Sequence, residues 1–124
     1  AKISYVLKRC VTLNLVLGNW MQEKGGEPLK KSVDNFFNQA LLLKQLSFDI
    51  ENDIEKQRKI KLSSVAELEK SLLLNIKLIS PLYVERLTKN YAANGSYFEN
   101  DSQLKDEISI CSNFSKHLNT LKWD

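Results

Sequence analysis

The chain has 124 residues, of which 43% are apolar and 27% charged, with only four Gly and two Pro. A chain of this size buries about two thirds of its surface on folding, enough for one core without a metal. So few turn residues exclude a sandwich or barrel of many short strands. The charge balance, 18 Lys and Arg against 15 Asp and Glu, gives +3 and singles out neither a nucleic-acid nor a membrane binder.

Ile3, Val6, Leu7, Cys10, Leu13, Leu17, Trp20 and Met21 step by three and four, which predicts a helix over about residues 2–24. Val11, Leu15 and Val16 widen the stripe, so this helix is expected to be covered on more than one side. Gly25 and Gly26 supply a stop, and Pro28 a favoured first helical position. The second helix then carries Leu29, Val33, Phe36, Phe37, Ala40, Leu41, Leu43, Phe48, Ile50 and Ile54 inward to about residue 60. Its acidic residues Glu51, Asp53 and Glu55 give way to Lys56, Arg58, Lys59 and Lys61, cations that suit the negative end of a helix dipole.

Ser64 and Glu67 stand at capping-box spacing and open the third segment. From there Val65, Leu68, Leu72, Ile76, Ile79, Tyr83, Leu87 and Tyr91 form one helical stripe. Pro81 interrupts it, predicting a kink or a new helix capped by Ser80. Asn94 and Gly95 end the segment. The last helix is expected to start from Asn100 or Asp101, with Leu104, Ile108, Cys111, Phe114 or Ser115, Leu118 and Leu121 inward and Ile110 and Trp123 off that face. The expected architecture is all-α, an antiparallel bundle of four to five helices with long central ones, forming a single domain over residues 1–124. An opening without Met and an end at Trp123 and Asp124 suit a domain excised from a larger protein.

Cys10 and Cys111 both fall on inward faces, where a free thiol behaves as a small apolar group; buried free thiols are the expectation, and a bridge closing a loop of about 100 residues the alternative. Asn-x-Ser sequons stand at Asn94, Asn100 and Asn113, an excess over chance for this composition that is too slight to imply secretion. Free thiols and the absence of a targeting segment lean toward an intracellular protein, cytoplasmic or nuclear. A secreted helical ligand, with Cys10 bridged to Cys111 and the sequons in use, is the reading that a bridge would favour.

The constellations of familiar enzymes are missing. His117 is the sole histidine, so no two-histidine metal site can be built within one chain. Cys111 and His117, six residues apart on a helix, point about 240° apart and cannot form a nucleophilic pair. No Gly-rich phosphate loop occurs. No catalysis, metal, cofactor or small-molecule substrate is therefore expected, and no membrane span, because no apolar run approaches about 18 residues.

Two interaction surfaces remain. Lys56, Arg58, Lys59 and Lys61 could contact a nucleic-acid backbone, although acidic neighbours and a lack of stacking aromatics argue for a dipole-matched helix end instead. The second surface follows from length. The outer helices allow about 23 residues each, whereas the second helix and the third segment allow about 33 and 30, so a hairpin of these two should project. Its end would carry Ile50, Ile54, Ile60, Leu62, Val65, Leu68 and Leu72, with Leu73 and Leu74, more apolar surface than two helices can cover. The expected function is a protein-interaction module of the scaffold or adaptor kind, taking a partner peptide or a second copy there. In the competing reading the second helix frays near residue 56, Pro81 folds the third segment back, and one core satisfies every apolar residue.

Overall fold

The computed structural model describes residues 2–24, 30–95 and 100–116. They form four helices, α1 (Lys2–Lys24), α2 (Lys30–Gln57), α3 (Val65–Asn94) and α4 (Ser102–Lys116), and no strand. The expected Gly25–Gly26 stop, the Pro28 start, and Leu118, Leu121 and Trp123 lie outside the described residues.

The helix ends follow from local chemistry. Ser64 caps α3 as its spacing predicts: its hydroxyl accepts from the Glu67 amide at 3.1 Å, and the Glu67 carboxylate accepts from the Ser64 amide at 3.1 Å. Gly95, left-handed at φ 69°, closes the same helix, its amide donating to the Tyr91 carbonyl. Pro81 neither breaks α3 nor starts a new helix; it is exposed, so the carbonyl its ring leaves without a partner can meet water. α2 stops earlier than expected. Lys59 turns left-handed (φ 56°), the Ile60 amide reaches back to the Glu55 carbonyl and that of Lys59 to Lys56, a Schellman ending made without glycine. Glu55 then fastens the connection by accepting from the Ser63 amide and hydroxyl.

α1 is the hub. It packs extensively on α2, on α3, and more narrowly on α4. Leu7, Cys10, Val11, Thr12, Leu13, Asn14, Val16 and Leu17 are all buried, which realises the cover on several sides that its wide stripe predicts. The start of α1 meets the end of α2, where the Ser4 hydroxyl donates to Glu51 at 2.6 Å and Lys8 pairs with the same carboxylate at 2.5 Å. Near the other end the Phe37 ring lies so close to Gly18 that a Cβ there would sit 2.6 Å from it. Opposite these, α2 contributes Ala40, Leu43, Leu46, Phe48 and Ile50, α3 Leu68, Leu72, Tyr83 and Leu87, and α4 Leu104 and Cys111. Buried polar atoms on α1 are satisfied locally or across to α3: Asn14 donates to the Cys10 carbonyl at 2.8 Å, and Thr12 lies 3.1 Å from the Asn75 carboxamide oxygen.

Two ties hold α4. The first corrects the expectation of free thiols: Cys10 and Cys111 are joined in a disulfide that spans 101 positions of sequence and binds α1 to α4. Both cysteines do face inward, as their stripes require, but they face each other. The second tie is Asp101, which caps α4 by accepting from the Leu104 amide at 3.1 Å and also accepts from both Arg86 Nε and Nη2 and from Asn90. The hydrogen bonds from Arg86 hold its carboxyl well below the usual carboxylate range.

Replacing both cysteines by alanine should lower unfolding stability by about 4 kcal/mol, the loop-closure contribution of a bridge this long. Urea denaturation checks this, with reductant on the unaltered chain giving a similar shift. Because Asp101 has a depressed folded-state pKa, its contribution is fully present above about pH 4 and is lost as the pH falls below that. Asp101→Asn should cost about 1–2 kcal/mol at pH 7 and flatten the acid limb of a stability-against-pH curve.

Candidate protein-binding surface

α3 differs from its neighbour α1 in leaving a second apolar row uncovered. The stripe from Leu68 to Leu87 faces α1, yet Leu74, Leu78 and Leu82 form a second ridge at four-residue spacing on the outer side, 54%, 73% and 59% exposed. Leu73 and Val84 are exposed too, but on the other side of the helix, where Val84 lines a pocket with Leu15, Trp20 and Ile76. Lys70 and Lys77, seven residues apart and both exposed, run along one edge of this ridge. A soluble helix with apolar side chains all round ordinarily has partners all round. Several hundred Å² of apolar surface here has none among the described residues, the upper range of what a monomer leaves open.

Beside the ridge lies a groove of about 490 Å³ whose apolar lining is Tyr5 of α1, Ile54 of α2, Ile60 of the turn, and Leu74 and Leu78. Its polar side is built from the Lys8–Glu51 pair, with Lys8 also donating to Ser71 at 3.0 Å, and Arg58 at the margin. Glu51 is thus held by Lys8 and Ser4, and Glu55 by Ser63, so both carboxylates serve the fold. Lys56, Arg58, Lys59 and Lys61 are all exposed around the turn, and of these Arg58 reaches the groove, where Glu51 and Glu55 also stand.

The seven apolar residues expected at the end of a hairpin divide between inside and outside. Ile50, Leu68 and Leu72 are buried, at 0%, 3% and 3%, and Ile54 is half-buried against the core. Ile60, Leu62 and Val65 are exposed, at 54%, 43% and 68%. The structure brings Ile54 and Ile60 into the groove and sends Ile50, Leu68 and Leu72 into the core, because α1 lies against both α2 and α3 there and covers them. Tyr5, Leu78 and Leu82 were missed. The signal for the leucines was present as a second four-residue series, 74, 78, 82, beside the stripe that was read.

The remaining features offer less. Tyr83 accepts from Arg9 at 2.8 Å, and Arg9 also pairs with Glu107 at 3.1 Å; burial, reinforced by the Glu107 charge, pushes the Tyr83 phenol up to about 12. This network closes over the disulfide and joins α1, α3 and α4. Among the described residues no group of three or more His, Cys, Asp or Glu is placed to hold a metal ion, and no helix is long and apolar enough to cross a membrane. His117 lies outside the described residues. No protein-family model, curated protein or solved structure matches the chain.

Aspartate substitution separates the inner and outer leucines. Leu72→Asp buries a carboxylate and should abolish folding, a loss of more than about 4 kcal/mol. Leu78→Asp should leave the circular-dichroism spectrum unchanged and the stability within about 0.5 kcal/mol.

Proposed function

We propose that the domain is a non-catalytic protein-binding module, an antiparallel bundle whose α3 ridge and adjoining groove receive an amphipathic helix of a partner protein. The observation that carries this reading is the exposed series Leu74, Leu78, Leu82 on a helix whose opposite face is already packed. Leucines four residues apart make a ridge that a second helix accepts between its own side-chain rows. Lys70 and Lys77 along one edge, with Lys56, Arg58, Lys59 and Lys61 around the turn, select a partner helix flanked by acidic residues. On this reading the basic cluster orients a protein partner, and contact with a nucleic-acid backbone is the lesser alternative, because the cluster adjoins an apolar groove whose lining offers a single aromatic, Tyr5, and no series for stacking.

The probe is a labelled peptide with leucines at three-four helical spacing and glutamates on its flanks, titrated by fluorescence anisotropy. Binding in the micromolar range is expected, weakened at least about tenfold (~1.4 kcal/mol) by Leu78→Asp or by exchanging the glutamates of the peptide for lysines. Equal binding to the unaltered and Leu78→Asp domains overturns the assignment. A stable dimer in light scattering that Leu78→Asp converts to monomer makes a second copy the occupant and overturns the partner helix.

A further inference from the structure

The buried bridge and the surface asparagines belong to one chemistry. Thiols in a reducing cytosol stay reduced, whereas Cys10 and Cys111 are joined, 3% and 4% exposed, between the first helix and the last. The cytoplasmic or nuclear placement expected from sequence rested on free thiols, and the bridge removes that support. The lumen of the eukaryotic secretory pathway, one compartment that oxidises thiols in this way, is also where Asn-x-Ser sequons are glycosylated.

The structure sorts the asparagines accordingly. Those engaged by the fold are not in sequons: Asn14 donates to the Cys10 carbonyl, Asn75 meets Thr12, and Asn90 donates to Asp101. The two sequon asparagines whose side chains are described, Asn100 and Asn113, are both exposed. Asn100 immediately precedes the Asp101 cap. Asn113 points outward from α4 two residues beyond Cys111, while Cys111 is buried and Phe114 packs against the core. Neither lies on α3, although Asn100 adjoins Asp101, which α3 holds through Arg86 and Asn90.

We propose that this domain matures in an oxidising secretory compartment and carries N-linked oligosaccharides on Asn100 and Asn113. In the first step the two thiols lose two protons and two electrons to a disulfide-bearing oxidoreductase, which is reduced to its dithiol as the Cys10–Cys111 bond forms. In the second, each Asn amide nitrogen attacks the anomeric carbon of a lipid-pyrophosphate-linked oligosaccharide. The nitrogen–carbon bond forms, the carbon–oxygen bond to the pyrophosphate breaks, the amide proton departs, and the lipid pyrophosphate leaves. This inference is independent of the partner-helix assignment, since it rests on α4 and the bridge.

The test uses the full chain isolated from the organism that makes it, and the same chain secreted from cultured eukaryotic cells behind a supplied signal peptide, with Asn94→Gln in the secreted form to isolate the other two sites. Treatment with a peptide N-glycosidase should increase gel mobility, and mass spectrometry should find aspartate at positions 100 and 113. Asn100→Gln and Asn113→Gln should each remove one glycoform step, and together both steps, with the melting temperature of the deglycosylated protein unchanged. Unshifted mobility in both preparations, or two thiols titrating in the denatured natural chain without reductant, overturns the proposal.

Discussion

α1 carries side chains that need cover on nearly all of its sides, and this demand organises everything else. A helix with one apolar stripe can lie at a surface, but one with Leu7, Cys10, Val11, Leu13, Val16 and Leu17 all buried has to be surrounded. α2 covers one side along most of its length, α3 a second, and α4 closes a third, where the bridge fixes it. The polar residues within α1 do not disturb this arrangement, because Thr12 and Asn14 also use carbonyls of their own helix. Gly18 lets the Phe37 ring come in where any side chain would stand in its way.

The cost of enclosing one helix falls on another. α3 has apolar residues enough for two faces, and α1 covers only one of them, so the leucines at 74, 78 and 82 stay outside. The side chains around that face carry both signs: Lys70 and Lys77 are exposed along one edge, and exposed Glu85, paired with Lys89 of the same helix at 3.0 Å, follows Leu82. An apolar centre with a charged margin is the anatomy common among surfaces that proteins use to bind one another.

Much of this is legible in the sequence where the determinant is local. The Ser64–Glu67 box, the α1 stripe and the Gly95 stop depend on residues within one or two turns, and they stand where their spacing puts them. What was not legible depends on distant partners. Cys10 and Cys111 each announce an inward position, but whether they meet depends on the relative placement of two helices about a hundred residues apart. Which face of α3 turns inward is settled by α1, and so the apolar residues assigned to a projecting tip divide, Ile50, Leu68 and Leu72 inside and Ile60, Leu62 and Val65 outside. The early end of α2 rests on a left-handed lysine, a conformation that lysine side chains rarely announce.

The position of the bridge also decides how the molecule responds to tension. A pull entering at the start of α1 and leaving through α4 passes through one covalent bond between Cys10 and Cys111, and the hundred residues between them lie outside the line of force. Such a pull acts on α1 before Cys10 and on α4 after Cys111, while α2, α3 and the exposed leucines lie outside its path. The leucine series at 74, 78 and 82, which lies between the two cysteines, would thus keep its arrangement under such a load, whereas the adjoining groove would lose Ser4, Tyr5 and Lys8 of α1.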